Sequence, residues 1–274
     1  MTLFQSLLLG IVQGLTEFLP VSSTAHLILV PWLFGWELDR DVVFVFDVLL
    51  QLGTLAAVIA YFWQDLWRIA RAAIVGLVRR RPLESADARL GWLIVAATIP
   101  AGLIGLLFKD FFEGLHHNPA IVAGILLGAA ALLFASERLG RRTRSLESLN
   151  WVDALLVGSS QALALLPGVS RSAATISGGL ARGLERPAAA RFSFLMSVPV
   201  MLAAGAVAVQ DLLDVPDFTA YLPSLALGCL AAAVVGFLSI RWLLGYLARR
   251  SLDVFAWYRL VAGLLCLVLF FLRR

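Results

Sequence analysis

The chain has 274 residues, of which 61% are apolar and 15% carry a charge, and its mean hydropathy is +0.89. Water-soluble domains are about 45–50% apolar and about 25% charged, so this composition excludes a soluble globule, a disordered chain and a coiled coil. The pI of about 9.6 would suit a nucleic-acid-binding protein, but the basic residues lie in short patches between long apolar runs rather than on one face, so we expect an integral membrane protein without a nucleic-acid partner.

The chain begins with an apolar segment, residues 3–36, that is interrupted at Pro20. Its two halves of about 14 residues are too short to cross a bilayer, so we predict a re-entrant helix–loop–helix hairpin. A second segment, residues 152–181, is interrupted at Pro167-Gly168 and is predicted to form a second hairpin. Six uninterrupted apolar runs are predicted to be spanning helices, at residues 42–63, 90–108, 119–136, 192–212, 221–240 and 255–272.

The distribution of basic residues predicts the orientation of this layout, because inside loops are rich in Lys and Arg. If the N-terminus lies outside and each hairpin returns to the side it entered from, the inside segments hold 16 of the 22 basic residues. The Arg79-Arg80-Arg81 run is one of these inside patches, whereas the C-terminal Arg273 and Arg274 fall outside. We therefore expect both termini on the outer side, with His116-His117 in an outer loop.

The two interrupted segments also resemble each other. GIVQGLTEFLPVSS at residues 10–23 is similar to GSSQALALLPGVSRS at residues 158–172. We predict a single membrane domain over residues 1–274 that contains two repeats, about 1–145 and 150–274, each with one hairpin and three spans. Because three crossings reverse the direction of the chain, the second repeat is predicted to be inverted, and inverted repeats place a site where interrupted helices meet near the midplane.

The break in the first hairpin gathers polar side chains. Gln13 and Glu17 are i,i+4 neighbours on one helical face, and Pro20 is expected to end that half-helix. Ser22 or Ser23 can cap the next half-helix. The tip thus brings a carboxylate and hydroxyls to a helix N-terminus, where free N–H groups attract anions, and an imidazole, that of His26, follows one turn later.

The break in the second hairpin, PGVSRSAAT at residues 167–175, has the composition of an anion-binding loop. Gly168 allows a tight turn and a close approach of the backbone to a ligand. Arg171 offers a planar fork of N–H donors that suits phosphate oxygens, and serine hydroxyls flank it. We therefore expect an oxyanion or phosphate cradle within the membrane.

These residues also have purely structural interpretations. The hydroxyls at the breaks could bond only to the local backbone, and His26 could be a core histidine. Glu17 and Arg171 could form an ion pair without a chemical role, but a charged group at membrane depth costs at least ~2.5–3.5 kcal/mol. Two such groups at matching breaks favour a functional site. Asp47 could either line the cavity or lie near the outer interface.

QGLTEFLPVSSTAHL at residues 13–27 and PGVSRSAAT at residues 167–175 resemble the two signature motifs of the bacterial undecaprenyl-pyrophosphate phosphatases, the bacitracin-resistance family. The resemblance implies an enzyme of the bacterial plasma (inner) membrane that hydrolyses undecaprenyl pyrophosphate to undecaprenyl phosphate and inorganic phosphate, which recycles the lipid carrier for peptidoglycan synthesis. It implies a divalent cation, Mg²⁺ or Ca²⁺, bound with the substrate pyrophosphate, and a site open to the periplasmic side. Membrane lipids are the other expected partners, and a homodimer is left open.

Matched position by position, the resemblance implies a catalytic set of Glu17, Ser23, His26 and Arg171. The substrate-binding surroundings that it implies are Gln13, Ser22, Thr24, Gly168, Ser170, Ser172 and Thr175. The acidic motif of the family reads Glu/Gln-x-x-x-Glu, and its first position here is Gln13, so Glu17 is the acid at that spacing and the best candidate for a metal ligand. The nucleophile is left open between Ser23, His26 and a water, and the base between His26 and Glu17.

Two other functions compete with hydrolysis. An inverted-repeat transporter or flippase could carry a polyprenyl phosphate or another anionic lipid in the same cradle, although a carrier has less use for the Glu17/His26 pair. A structural membrane subunit would explain neither tip. Membrane acid phosphatases need a histidine after their Ser-Arg motif, and His26, His116 and His117 all precede Arg171, which excludes that class.

Overall fold

The regular structure of the chain is helical throughout the residues that the computed structural model describes, which are 1–36, 40–108, 111–112, 115, 119–213 and 218–273. The α-helices are α1 Leu3–Thr16, α2 Ser23–Phe34, α3 Arg40–Tyr61, α4 Trp63–Val78, α5 Ala86–Leu107, α6 Pro119–Leu139, α7 Trp151–Ala162, α8 Arg171–Ala181, α9 Arg186–Leu213, α10 Leu222–Leu247 and α11 Asp253–Leu272. Single 3-10 turns cover Leu146–Ser148, Leu163–Leu165 and Phe218–Tyr221. The predicted all-α membrane fold is confirmed, while the positions of His116 and His117 lie outside the described residues.

The spanning helices agree with the sequence except at the first of them. Among the described residues, five helices, α5, α6, α9, α10 and α11, are long and apolar enough to cross a membrane. The pair α3 and α4, bent by 80°, passes the same test together and is either a broken sixth span or a re-entrant segment. Residues 64–89, between the first two predicted spans, were expected only to lie inside, whereas they contain α4, a helix of 16 residues. Besides its arginines, α4 has an apolar face, on which Ile69 and Ala73 lie next to Gly91 of α5.

Both predicted hairpins are present. α1 has 14 residues and α8 has 11, and at 1.5 Å per residue neither approaches the ~30 Å of a bilayer core. The first half-helix ends one turn before Pro20, at Thr16. Proline has no N–H and its ring clashes with the carbonyl four residues earlier, which here is that of Thr16, so the helix cannot continue past that turn.

The first arm of each hairpin packs against a spanning helix from the other half of the chain: α1 lies on α10, and α7 lies on α5. A glycine brings the backbones together at both contacts, because Gly10 lies against the carbonyl of Gly228 and Gly158 against that of Ala97. Neither glycine leaves room for a Cβ. The two halves thus exchange equivalent contacts, and the division into repeats near residue 145 stays a prediction.

The open end of the second hairpin is tied together by one carboxylate. Asp153, in the first turn of α7, is fully buried and accepts hydrogen bonds from Arg144 Nη2 at 2.6 Å and from Arg182 Nε at 2.7 Å. Arg182 follows the last residue of α8, so Asp153 joins the beginning of the hairpin to its end. Arg144 Nη1 also donates to the carbonyl of Arg182 at 2.9 Å. This clamp fixes the base of the hairpin, and the sequence did not predict it.

Candidate active site

The structure brings the tips of the two hairpins into direct contact. Arg171 Nη2, in the second tip, donates a hydrogen bond of 2.8 Å to Glu17 Oε1 in the first. Ser172 Oγ donates to the carbonyl of Leu19 at 3.1 Å. Polar groups from residues more than 150 positions apart in the sequence therefore form one site.

The two tips turn in the same way. Ser22 and Ser170 are the N-caps of α2 and α8, and their hydroxyls accept hydrogen bonds of 3.3 Å from the N–H groups of Ala25 and Ala173. Both serines have left-handed backbone angles, with φ of 77° and 74°. Such angles cost a non-glycine residue about 1–3 kcal/mol and cluster at functional sites. Of the two caps left open for the first tip, Ser22 is the one observed.

The carboxylate of Glu17 lies at the centre of the site. Its Oε2 accepts hydrogen bonds from Ser23 Oγ at 2.7 Å and from Gln13 Nε2 at 2.9 Å, while Oε1 accepts from Arg171. The Glu17 side chain is 6% exposed, so three donors stabilise the charge of a buried carboxylate. A hydroxyl that donates to a buried carboxylate has the geometry of a nucleophile and its base.

Arg171 has spare hydrogen-bonding capacity at this point. Its Nη2 is bonded to Glu17, but its Nη1 is buried and has no hydrogen-bond partner among the described residues. Buried donors are nearly always satisfied, and α8 begins at Arg171, so the first turn of that helix also has backbone N–H groups without a helical partner. The second tip is therefore prepared to bind an anionic oxygen.

His26 is turned toward α11 rather than toward Glu17. Because the Ser22 carbonyl can only accept, His26 Nδ1 donates to it, at 2.7 Å, and Nε2 then accepts from the Tyr258 hydroxyl, also at 2.7 Å. The two rings are stacked with centroids 5.7 Å apart. The imidazole makes no hydrogen bond to Ser23 or Glu17 in this arrangement, so its role as a base stays a prediction.

The remaining predicted site residues surround the two tips. Gln13 is fully buried and also contacts Thr54 Oγ1 at 3.4 Å, and Ser170 Oγ lies 3.0 Å from Ser172 Oγ. Thr24 is half-buried in the first turn of α2. Gly168 has a φ of +107°, and a Cβ there would lie 2.9 Å from the carbonyl oxygen of Val122.

Thr175 lies one turn below the second tip, and its hydroxyl is engaged within the protein. It donates to the carbonyl of Arg171 at 2.7 Å and shares a hydrogen bond of 2.6 Å with Ser193 Oγ of α9. Thr175 therefore supports the first turn of α8 rather than facing the opposite tip. Ser193 was not predicted as a site residue.

Sequence reasoning missed Arg259, which lies within the last spanning helix, α11. Arg259 is fully buried and donates to carbonyls of both tips: Nη1 to Pro20 at 3.2 Å, and Nη2 to Val169 at 2.9 Å and to Gly168. Its neighbour Tyr258 binds His26. The available signal was the charge itself, since an ionisable residue inside a span is a functional candidate by default.

Asp47 lies on α3, seven residues before Thr54 and so on the same helical face. Its Oδ1 is buried and has no hydrogen-bond partner among the described residues. Asp47 therefore forms no ion pair with a described residue and does not lie in a solvated loop. The choice between the cavity lining and the outer interface stays open.

The described residues contain no group of three or more His, Cys, Asp or Glu side chains that could hold a metal ion. The site does offer two oxygen ligands, the Glu17 carboxylate and Gln13 Oε1, which is buried without a partner. Mg²⁺ is usually bound by one or two carboxylates together with substrate phosphates and water. The residues present therefore fit a cation that is bound with a phosphorylated substrate, but not a closed protein cage.

Comparison with known proteins shows the family of the chain. Residues 6–265 match the family model "Bacitracin resistance protein BacA". A relative from Moorella thermoacetica named undecaprenyl-diphosphatase is 47% identical over 274 residues, covering all of both chains. Relatives with the same name from Chlorobium phaeovibrioides and Thermomicrobium roseum are each 46% identical, covering 98% of this chain and 97% and 98% of their own. The chain therefore belongs to the BacA family of bacitracin resistance proteins.

Proposed function

We propose that this chain hydrolyses undecaprenyl diphosphate to undecaprenyl phosphate and inorganic phosphate at the contact between the two hairpin tips. The observation that carries the proposal is the bonded series Ser23–Glu17–Arg171. It combines a hydroxyl, a carboxylate that can accept its proton, and a guanidinium with a free N–H group. A transporter would need the anion-binding tip but not the serine bonded to a buried carboxylate, so it is not favoured.

The second tip binds the substrate. Arg171 Nη1 and the free N–H groups in the first turn of α8 donate to oxygens of the terminal phosphate, and the positive end of the α8 dipole adds to the attraction. Ser170 and Ser172 keep this turn in place through their bonds to each other and to Leu19. These donors also stabilise the charge that develops on the phosphoryl group.

The first tip carries out the chemistry. Ser23 Oγ attacks the terminal phosphorus and its proton passes to Glu17 Oε2, while the bond from that phosphorus to the bridging oxygen breaks and undecaprenyl phosphate leaves. A water then attacks the phosphorus of the phosphoserine, the bond from that phosphorus to Ser23 Oγ breaks, and inorganic phosphate leaves while Glu17 returns its proton to Ser23 Oγ. A water in place of Ser23 in the first step, with Glu17 or His26 as its base, is the alternative that the test below distinguishes.

A divalent cation, Mg²⁺ or Ca²⁺, supplies charge neutralisation of the diphosphate when bound. Glu17 and Gln13 Oε1 are the residues that would hold it. Gln13 already orients Glu17 through a bond of 2.9 Å, so it keeps the carboxylate in place for Ser23 whether or not the cation is bound.

The chain is a multi-pass membrane protein, and we place it in the bacterial plasma (inner) membrane with both termini outside. This orientation is supported by the 16 of 22 basic residues that it brings to the cytoplasmic side. The first hairpin then enters from the periplasmic side, and the site opens there to the polyprenyl diphosphate and to the surrounding membrane lipids.

The test is phosphate release from undecaprenyl diphosphate by the purified chain with Mg²⁺ or Ca²⁺ present. We expect Ser23→Ala to lower turnover by at least about 10³-fold, whereas Ser159→Ala, at an exposed serine of α7, leaves it unchanged. Acid quenching with labelled substrate should trap a phosphoserine in the parent protein and not in Ser23→Ala.

Three results would contradict parts of this proposal. Near-parental turnover in Ser23→Ala would exclude the serine nucleophile and assign the attack to a water. Release of no phosphate by the parent protein would exclude the hydrolase. Movement of the lipid between leaflets without phosphate release would favour a transporter.

A further inference from the structure

We propose that Arg259 is a positioning residue that holds the two hairpin tips at the separation that the reaction requires. The kinetic test of this inference rests on the proposed function. Arg259 lies on α11, outside both hairpins, and is fully buried. It does not touch Ser23, Glu17 or Arg171 by a hydrogen bond, so it acts through the backbone that carries them.

The geometry of its hydrogen bonds supports this role. One guanidinium spans both tips, with Nη1 bonded to the carbonyl of Pro20 and Nη2 bonded to the carbonyls of Gly168 and Val169. These carbonyls belong to the irregular segments that follow α1 and α7, where no helical partner is available. Because the guanidinium is planar and rigid, its orientation fixes the relative position of the two loops.

The charge environment of Arg259 points the same way. No carboxylate among the described residues lies within ion-pair distance of it, in contrast to Arg171, which is paired with Glu17 at 2.8 Å. Charged side chains at membrane depth are costly and are rarely retained without a role. The carbonyl oxygens of the two tips are therefore the partners that keep Arg259 in place.

Such a contact matters because the reacting groups come from different tips. Ser23 and Glu17 belong to the first tip and the free N–H of Arg171 to the second, and a displacement of about 1 Å can reduce turnover about 10²-fold. The other hydrogen bonds that join the tips involve Glu17 with Arg171 and Ser172 with Leu19. Arg259 adds a third connection between the two tips, made by a side chain of α11.

The residue that follows this helix, Arg273, provides a matched control. Arg273 Nη1 and Nη2 donate to the carbonyls of Trp32 and Leu33, both at 3.1 Å. These are also arginine–carbonyl hydrogen bonds, but they are made to the open end of the first hairpin, away from both tips. Arg273→Gln removes an arginine–carbonyl contact without disturbing the site.

The experiment compares Arg259→Lys and Arg259→Gln with Arg273→Gln in the purified full-length chain, with kcat and KM for undecaprenyl diphosphate expressed per folded molecule. We expect both Arg259 variants to lose about 10²-fold in kcat, with a much smaller change in KM. Lysine keeps the charge but cannot bridge the carbonyls, so it should not restore kcat. Arg273→Gln should retain parental kinetics.

Hydrogen exchange on the folded fraction provides a second measurement that does not depend on activity. In Arg259→Lys, the amides of residues 18–22 and 166–170 should exchange faster while those of the spanning helices are unchanged, since the contact is local. If the parent protein released no phosphate, the proposed function would fail, but this measurement would still test Arg259.

Two outcomes would overturn the proposal: parental kcat per folded molecule in either Arg259 variant, or exchange that increases equally throughout the chain. Failure of Arg259→Lys to yield any folded protein would also overturn it, because the residue would then serve folding rather than alignment of the tips.

Discussion

The two hairpins have the same outline but differ in how firmly they are held. In α8, the return arm of the second hairpin, eight of 11 residues are buried, and the helix packs against α6, α7 and α9. In α2, the return arm of the first, four of 12 residues are buried, and its main contacts are with α1 and α6. The hairpin that carries Ser23 and His26 is therefore the less constrained of the two.

The open ends of the hairpins also differ in how firmly they are held. The second is closed by the buried Asp153 with Arg144 and Arg182. The first is held by Arg273, whose guanidinium lies 4.9 Å above the Trp32 ring and donates to carbonyls at the exposed end of α2. Removing one partner of a buried ion pair destabilises a protein far more than removing an exposed contact does. The comparison indicates that the second hairpin, with Arg171, is held more firmly at its return arm and open end than the first hairpin, which carries Ser23.

Removing the carboxylate of the clamp is the change with the largest expected effect on this comparison. Asp153→Asn leaves two guanidinium groups beside a neutral, buried side chain, and we expect a loss of about 3 kcal/mol of stability. The measurement is thermal unfolding in detergent, with Asp87→Asn as the control, because the Asp87–Arg68 pair is partly exposed and is worth less than about 1 kcal/mol. Equal melting temperatures for the two variants would show that the clamp does not hold the second hairpin.

A smaller effect is expected in the parent protein itself. We expect amides in α2 to exchange with solvent at least about tenfold faster than those in α8, because α2 has fewer buried contacts that must open. Hydrogen exchange followed by mass spectrometry on peptides from residues 23–34 and 171–181 measures this ratio. Equal protection of the two arms would remove the basis for calling the first hairpin the more mobile one.

The hairpins and their tips could be predicted because proline and glycine interrupt apolar segments that are too short to span. Pro20 and Pro167-Gly168 marked both breaks, and the motifs around them contained Glu17, Ser23 and Arg171. The bonds among these three side chains depend on the packing of the two halves. The sequence placed them in one region without specifying that Ser23 donates to Glu17.

The partners of other residues could not be predicted from the sequence. Arg259 binds backbone carbonyls that lie 239, 91 and 90 residues away, and no pattern of side chains encodes a backbone acceptor. The left-handed angles of Ser22 and Ser170 follow from the tertiary contacts of the tips, since isolated serines avoid them. The helix α4 was missed because its arginines resemble those of an inside loop.

The most direct test of a single site shared by both tips is a double-mutant cycle on kcat/KM with Glu17→Gln, Arg171→Gln and the double variant. Each single change should lower kcat/KM by about 10²–10³-fold. Because the two residues act as one unit, the double variant should lie within about tenfold of the worse single variant. Effects that multiply, to about 10⁴–10⁶-fold, would show that the two tips act independently and would contradict a shared site.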